Sequence, residues 1–197
     1  GSPDEPFLEP NSLTAVLQYY QDGASRGIFP AEVLNYRTAE DAWRDYAAGL
    51  ANMVQANAHH YLVDRERRPN SAVAPIPGIN GPAAPLNRGW VLALVAPEPA
   101  RQSAAAEFMA LIMSPEANAA WNRAAGLLPT RQAALALWDP GNGYAPFIHQ
   151  QLQAARSRPV IPNYATIADA LQQAVEDVLS GAAAPEEAAA QAIESAQ

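Results

Sequence analysis

Leu86-Asn87-Arg88-Gly89-Trp90-Val91-Leu92-Ala93-Leu94-Val95 opens the stretch whose reading decides the fold, and Pro97-Glu98-Pro99 turns it into a helical run over 101–113. From Trp90 to Val95 the residues are continuously apolar, the pattern of a strand buried on both faces of a sheet. A second helix starts at once. Ser114 stands as N-cap, Pro115 at the first helical position and Glu116 in the first turn, while Gly126 follows where a left-handed C-cap residue is wanted. Leu127-Leu128-Pro129-Thr130-Arg131 leads out.

Upstream of that stretch, residues 1–11 carry prolines at 3, 6 and 10 and read as an expression scar, Gly1-Ser2, followed by an extended linker arm. Ser12 is the expected cap of a first helix with Leu13, Val16, Leu17 and Tyr20 at helical spacing. Thr38 and Asp41 suggest a capping box for a second helix, whose stripe of Ala39, Ala42, Trp43, Tyr46 and Leu50 places Trp43 in the core. Residues 51–56 read as a short strand with Met53 inward, 57–68 as a polar, basic segment, 72–76 as a strand and 77–88 as a long surface loop. Downstream, a short helix runs to Trp138 and residues 139–143 form a turn. A helix over 144–156 follows, then one over 167–180 capped by Thr166 and stopped by Gly181. A last alanine-rich helix from Pro185, striped by Ala188, Ala192 and Ile193, is expected to pack peripherally.

The chain has 197 residues, 49% of them hydrophobic, enough for one domain or one and a fraction. It contains no lysine. All 12 cations are scattered arginines against a net charge of -8, which disfavours nucleic acid as a partner. Neither a membrane-spanning run nor a signal peptide is expected in these residues. With no cysteine there is no disulfide, thiolate nucleophile or cysteine metal site.

Catalytic constellations find no support. Only three histidines occur, His59, His60 and His149, and neighbours on a strand face opposite ways, so no metal and no cofactor is expected. Asp64 and Glu66 read as partners of Arg65, Arg67 and Arg68 in a solvated charge run. Gly141-Asn142-Gly143 lacks a following phosphate-binding lysine, no Gly-x-Ser-x-Gly elbow appears, and no carboxylate pair is singled out. The expectation is a protein that is not an enzyme.

Gly89-Trp90 before an apolar run, Ala105-Ala106-Glu107-Phe108, Ser114-Pro115-Glu116 and Gly126-Leu127-Leu128-Pro129-Thr130-Arg131 together resemble the carbohydrate-binding proteins of ABC importers, the maltose-binding-protein-like family. Gly49-Leu50-Ala51-Asn52-Met53, and Ser180-Gly181 followed by Pro185-Glu186-Glu187-Ala188, are similar in order to further segments of that family. The likeness runs over residues 12–197 and corresponds to the carboxy-terminal half of such a protein. It implies a helix-rich α/β fold with few strands, periplasmic-binding-protein-like type II. Residues 12–70 and 129–197 would form the second lobe, and 72–126 would be the segment crossing into the first lobe. It implies a mono- or oligosaccharide ligand, a membrane permease as partner, and an extracytoplasmic location, periplasmic or at the cell surface, with membrane anchoring in the full-length protein.

A sugar presents hydroxyls around its rim and C–H groups on its faces, so its site needs an aromatic plate and planar hydrogen-bonding groups. Trp90 either stacks on the ligand or plugs the hinge. His59 stands where the resembling proteins carry an aromatic residue, with Asn57 and Gln55 just before it. Histidine can stack and hydrogen-bond, or be a solvated loop residue. Tyr164 is a further candidate, and Arg131 either pairs with the ligand or caps across the hinge. The alternative is a structural or interaction module of the same fold without a working site. If the strand over 90–95 lacks its neighbours, self-association through residues 72–96 is expected, the competing outcome being that the helix over 101–113 folds back to cover it.

Overall fold

A computed structural model describes residues 8–29, 31–78, 80–138 and 143–196. The chain divides into two compact units, one of residues 1–38 and 159–197, the other of residues 39–158.

In the first unit, α1 (Pro10–Ser25), a 3₁₀ turn (Ala31–Asn35), α8 (Tyr164–Ser180) and α9 (Pro185–Ser195) form a helical cluster. Its core is Leu17 of α1, Ala170, Ala174 and Val178 of α8, and Ala188, Ala189 and Ala192 of α9. Alanine at these positions lets helix backbones approach closely, so α9 is a full core element and not the peripheral helix its thin stripe suggests. Two expected caps are displaced. Helix α1 starts two residues before Ser12, because Pro10 fits the first turn, where an N–H is unneeded, and the Glu9 carboxylate accepts from the amides of Asn11 (3.1 Å) and Ser12 (2.7 Å). Helix α8 starts at Tyr164 after Asn163, not after Thr166, and ends as expected at Gly181, whose φ of +76° suits glycine.

The second unit holds α2 (Ala39–Ala47), α3 (Ala58–Asp64) with a 3₁₀ turn (Arg65–Arg67), α4 (Pro99–Ile112), α5 (Pro115–Ala124), α6 (Gln132–Trp138) and α7 (Tyr144–Ala154). Its strands among the described residues are two residues each. β1 (Pro77–Gly78) pairs antiparallel with β2 (Gly81–Pro82), and β3 (Leu86–Asn87) pairs parallel with β4 (Arg156–Ser157) in the register Leu86↔Arg156. Ala119, Ala134, Leu135, Trp138, Tyr144 and Ile148 make the core, with Tyr61, Leu62, Val73 and Leu128 packed on it. The expected turn at 139–142 lies outside the described residues.

Three strand expectations fail here. Residues 51–56 and 72–76 are irregular, and 57–68 is mostly helical. Residues 90–95 are also irregular and stand out in solvent, Trp90 90%, Val91 88% and Val95 87% exposed. Helix α4 does not bury them. The cause is shared: a strand needs a neighbour to take its N–H and C=O groups, and the β3–β4 pairing stops at Asn87. The helical expectations needed no such partner. Ser114 Oγ accepts from the amide of Ala117 (3.3 Å), α5 ends before Gly126 at φ +64°, and Trp43 is 7% exposed.

Candidate functional site

Asn57 shapes the first part of the site. Its Oδ1 accepts from the His60 amide (3.0 Å), capping α3 and turning the polar run after it into a helix. His59 is then aimed at the end of α5, where its Nδ1–H donates to the Gly126 carbonyl (3.0 Å). Since a carbonyl only accepts, the proton of neutral His59 sits on Nδ1, which leaves Nε2 as an acceptor. The contact is close because residue 126 is glycine. A Cβ there would lie 2.8 Å from Val63 Cγ2 and 3.3 Å from His59 Nδ1.

Arg131 is held elsewhere. Its Nη1 donates to the Met113 carbonyl (2.7 Å) at the end of α4. Met113 precedes α5 and Gly126 follows it, so Arg131 and His59 are fixed at opposite ends of a ten-residue helix, about 15 Å long at the usual helical rise. Gln55 is exposed in irregular backbone next to Asn57, and Trp90 is exposed in the irregular segment after Gly89. Tyr164 opens α8 in the other unit. The structure thus brings Asn57 and His59 together on one turn, with Gln55 two residues away along the chain, and does not gather all six.

Residues that the sequence reading took for core or for a solvated charge run build a second locality along α3. Trp43 Nε1–H donates to Asp64 Oδ2 (2.8 Å), and the Trp43 ring stacks on His60 at 5.7 Å, while His60 Nε2–H reaches Glu40 Oε2 at 2.8 Å. Asp64 also pairs with Arg67 at 3.6 Å and Arg68 at 4.0 Å, which makes the charge run mutually paired as expected. Beyond it an open hollow of about 300 Å³ is lined by Tyr61, Arg65, Glu66, Arg68, Pro69 and Ser71. Ser71 Oγ lies 2.6 Å from the Tyr46 hydroxyl, and Tyr61 packs against Tyr144 at 4.7 Å. Burial pushes the Tyr144 phenol well above the ordinary tyrosine range.

Asn118 and Asn122, buried on α5, were also missed. Asn118 Oδ1 accepts from the Thr130 amide (3.2 Å) and Asn122 Nδ2–H donates to the Asn118 carbonyl (2.7 Å). They pin the Leu-Pro-Thr exit against α5, and two asparagines four apart on one helix were the available signal.

Planar amides, imidazole, guanidinium groups and exposed aromatic faces are the chemistry of reversible capture of a polar solute. Among the described residues no three of His, Cys, Asp and Glu gather as a metal site, and no helix is long and apolar enough to cross a membrane. A solute-capturing chain is the class these features define. This chain belongs to the bacterial extracellular solute-binding protein family, whose model matches residues 3–149. No individually curated protein matches it.

Proposed function

We propose that the chain is the carboxy-terminal part of the carbohydrate-binding component of an ABC importer, of the type II fold. Residues 12–70 and 129–197 belong to its second lobe and 72–126 cross to the first. A mono- or oligosaccharide is captured in the cleft between lobes, and closure presents it to a membrane permease without breaking a bond. The protein works in the periplasm or at the cell surface, anchored to the membrane in its full-length form. The observation that carries this reading is Trp90, an indole 90% exposed directly after Gly89, where it offers both faces to a sugar ring.

The test is titration of the intact full-length protein with a panel of neutral mono- and oligosaccharides, read by tryptophan fluorescence and calorimetry; the carboxy-terminal part alone should bind them weakly or not at all. Trp90→Ala should weaken binding about tenfold or more, the usual loss for an aromatic anchor. Trp43→Ala should instead lower stability by about 3–5 kcal/mol, since that ring is buried. Unchanged affinity in a folded Trp90→Ala protein removes Trp90 from the site.

The second reading, a module that keeps the fold without a working site, draws on the structural duties of Asn57, His59 and Arg131. It predicts no saccharide response at all. Either reading is compatible with self-association through residues 72–96, whose apolar end is exposed.

A further inference from the structure

The first unit carries 11 of the chain's 20 carboxylates and 2 of its 12 arginines, a charge of -9 against +1 for the second unit. The imbalance is concentrated in α8 and α9, since residues 159–197 contain six carboxylates and no arginine or histidine. Three of those carboxylates accept from amides on their own helix, Glu176 from Gln172 (2.9 Å), Asp177 from Gln173 (2.8 Å) and Glu187 from Gln191 (3.5 Å). Glu186 and Glu194 have no such partner among the described residues, and both line an open groove of about 360 Å³ between α1 and α9. Its floor is apolar, made by Pro10 of α1 and by Ala189, Ala190 and Ile193 of α9. Glu194 also lies in the last turn of α9, which has no basic residue there, and the negative end of the helix dipole disfavours a carboxylate at that place. A cation from outside would offset it.

We propose that the groove between α1 and α9 docks a basic amphipathic helix of a partner protein, a role independent of the carbohydrate reading. Charge complementarity selects the occupant. Glu186 and Glu194 stand 8 positions apart on α9, about 12 Å along its axis at the usual helical rise. That is too far for both to hold one metal ion, whose oxygen ligands lie about 2–2.6 Å from it. It matches two lysines or arginines seven positions apart on a second helix lying along α9, about 10.5 Å from each other. Residues three and four positions after the first of those cations share its face, so apolar side chains there enter the floor between the two glutamates. The short side chains of Ala189 and Ala190 let the incoming helix approach closely, and Ile193 gives it an apolar contact. The -9 charge of the unit repels nucleic acid and anionic lipid and steers a cationic partner toward this face.

The probe is an alanine-rich helical peptide with two lysines seven positions apart and leucines three and four positions after the first, titrated into the intact chain at low salt and read by amide NMR and calorimetry. Shifts should map to α1 and α9. Glu186→Gln and Glu194→Gln should each weaken binding about threefold, the worth of a partly exposed ion pair, and a peptide with both lysines replaced by glutamine should bind about tenfold more weakly. Ala190→Gln, at an exposed position where glutamine keeps the helix, fills the floor and should weaken binding of the lysine peptide with both glutamates still in place. Glu187→Gln, on the same helix but outside the groove, should leave it unchanged. An equal loss on Glu187→Gln, or a glutamine peptide that binds as tightly, would overturn the proposal, because net charge or apolar contact alone would then account for binding. Spermidine binding as tightly as the peptide would overturn it in favour of a plain cation site. Shifts at α1 and α9 on concentrating the chain without peptide would overturn it in favour of a second copy, and no shift there with any peptide would overturn it outright.

Discussion

Replacing Gly126 by alanine tests the joint that holds His59. Two costs combine there. The backbone at 126 has φ +64°, where an alanine costs about 1 kcal/mol. The added Cβ would also stand 2.8 Å from Val63 Cγ2. Val63 is β-branched and sits within α3, so its χ1 is stiff, and moving it off its rotamer costs about 1 kcal/mol more. Displacing α3 instead stretches the His59 to Gly126 hydrogen bond, a loss of similar size, about 1 kcal/mol. The sum is about 2 kcal/mol. Gly49 is the internal control, because it has φ +79° with nothing within 4 Å of its would-be Cβ, and Gly49→Ala should cost only about 1 kcal/mol. Urea unfolding followed by tryptophan fluorescence reads both. All 4 tryptophans, Trp43, Trp90, Trp121 and Trp138, lie in residues 39–158, so the signal reports the unit that contains both glycines. Adding Val63→Ala should recover about 1 kcal/mol in the Gly126→Ala background. Equal costs at Gly126 and Gly49 would refute the packing of α3 on the end of α5 as described.

Two further outcomes are expected. Residues 72–96 carry one charge, Arg88, in a chain of net charge -8, so copies should associate through this nearly uncharged apolar segment. Light scattering across a dilution series should show a dimer or larger species at micromolar concentration that Val91→Glu disperses, and a monomer throughout would end that proposal. The Glu9 carboxyl is held below the usual 4.5 by its hydrogen bonds with the Ser12 side chain, then the Ser12 and Asn11 amides. A lowered folded value means that the cap's contribution is complete above the usual glutamate value and is lost as pH falls through the lowered one. The Asn11 and Ser12 amide resonances should therefore move only in that acid range, and movement starting above the usual value would contradict the cap.

The sequence by itself determined what local interactions complete. Ser114, Pro115 and Gly126 bound α5, and Gly181 stops α8, because an α-helix closes its own backbone hydrogen bonds and leaves only its ends to be satisfied by nearby residues. The stripe around Trp43 likewise fixed its burial, and the ordered motifs pointed to the solute-binding family. Only the tertiary structure decided the fate of Trp90 to Val95. Those six residues have the composition of an interior strand, but a strand is made by its neighbours, and the pairing at Leu86 and Asn87 ends before reaching them. The same holds for α9, whose alanines read as weakly apolar one by one and become a core only where α1 and α8 close on them. It holds for the sites too. Arg131 and His59 look alike as candidates in sequence, yet carbonyls at opposite ends of α5 hold them apart, while Arg68, legible only as one charge in a run, lines a hollow with Tyr61 and Ser71.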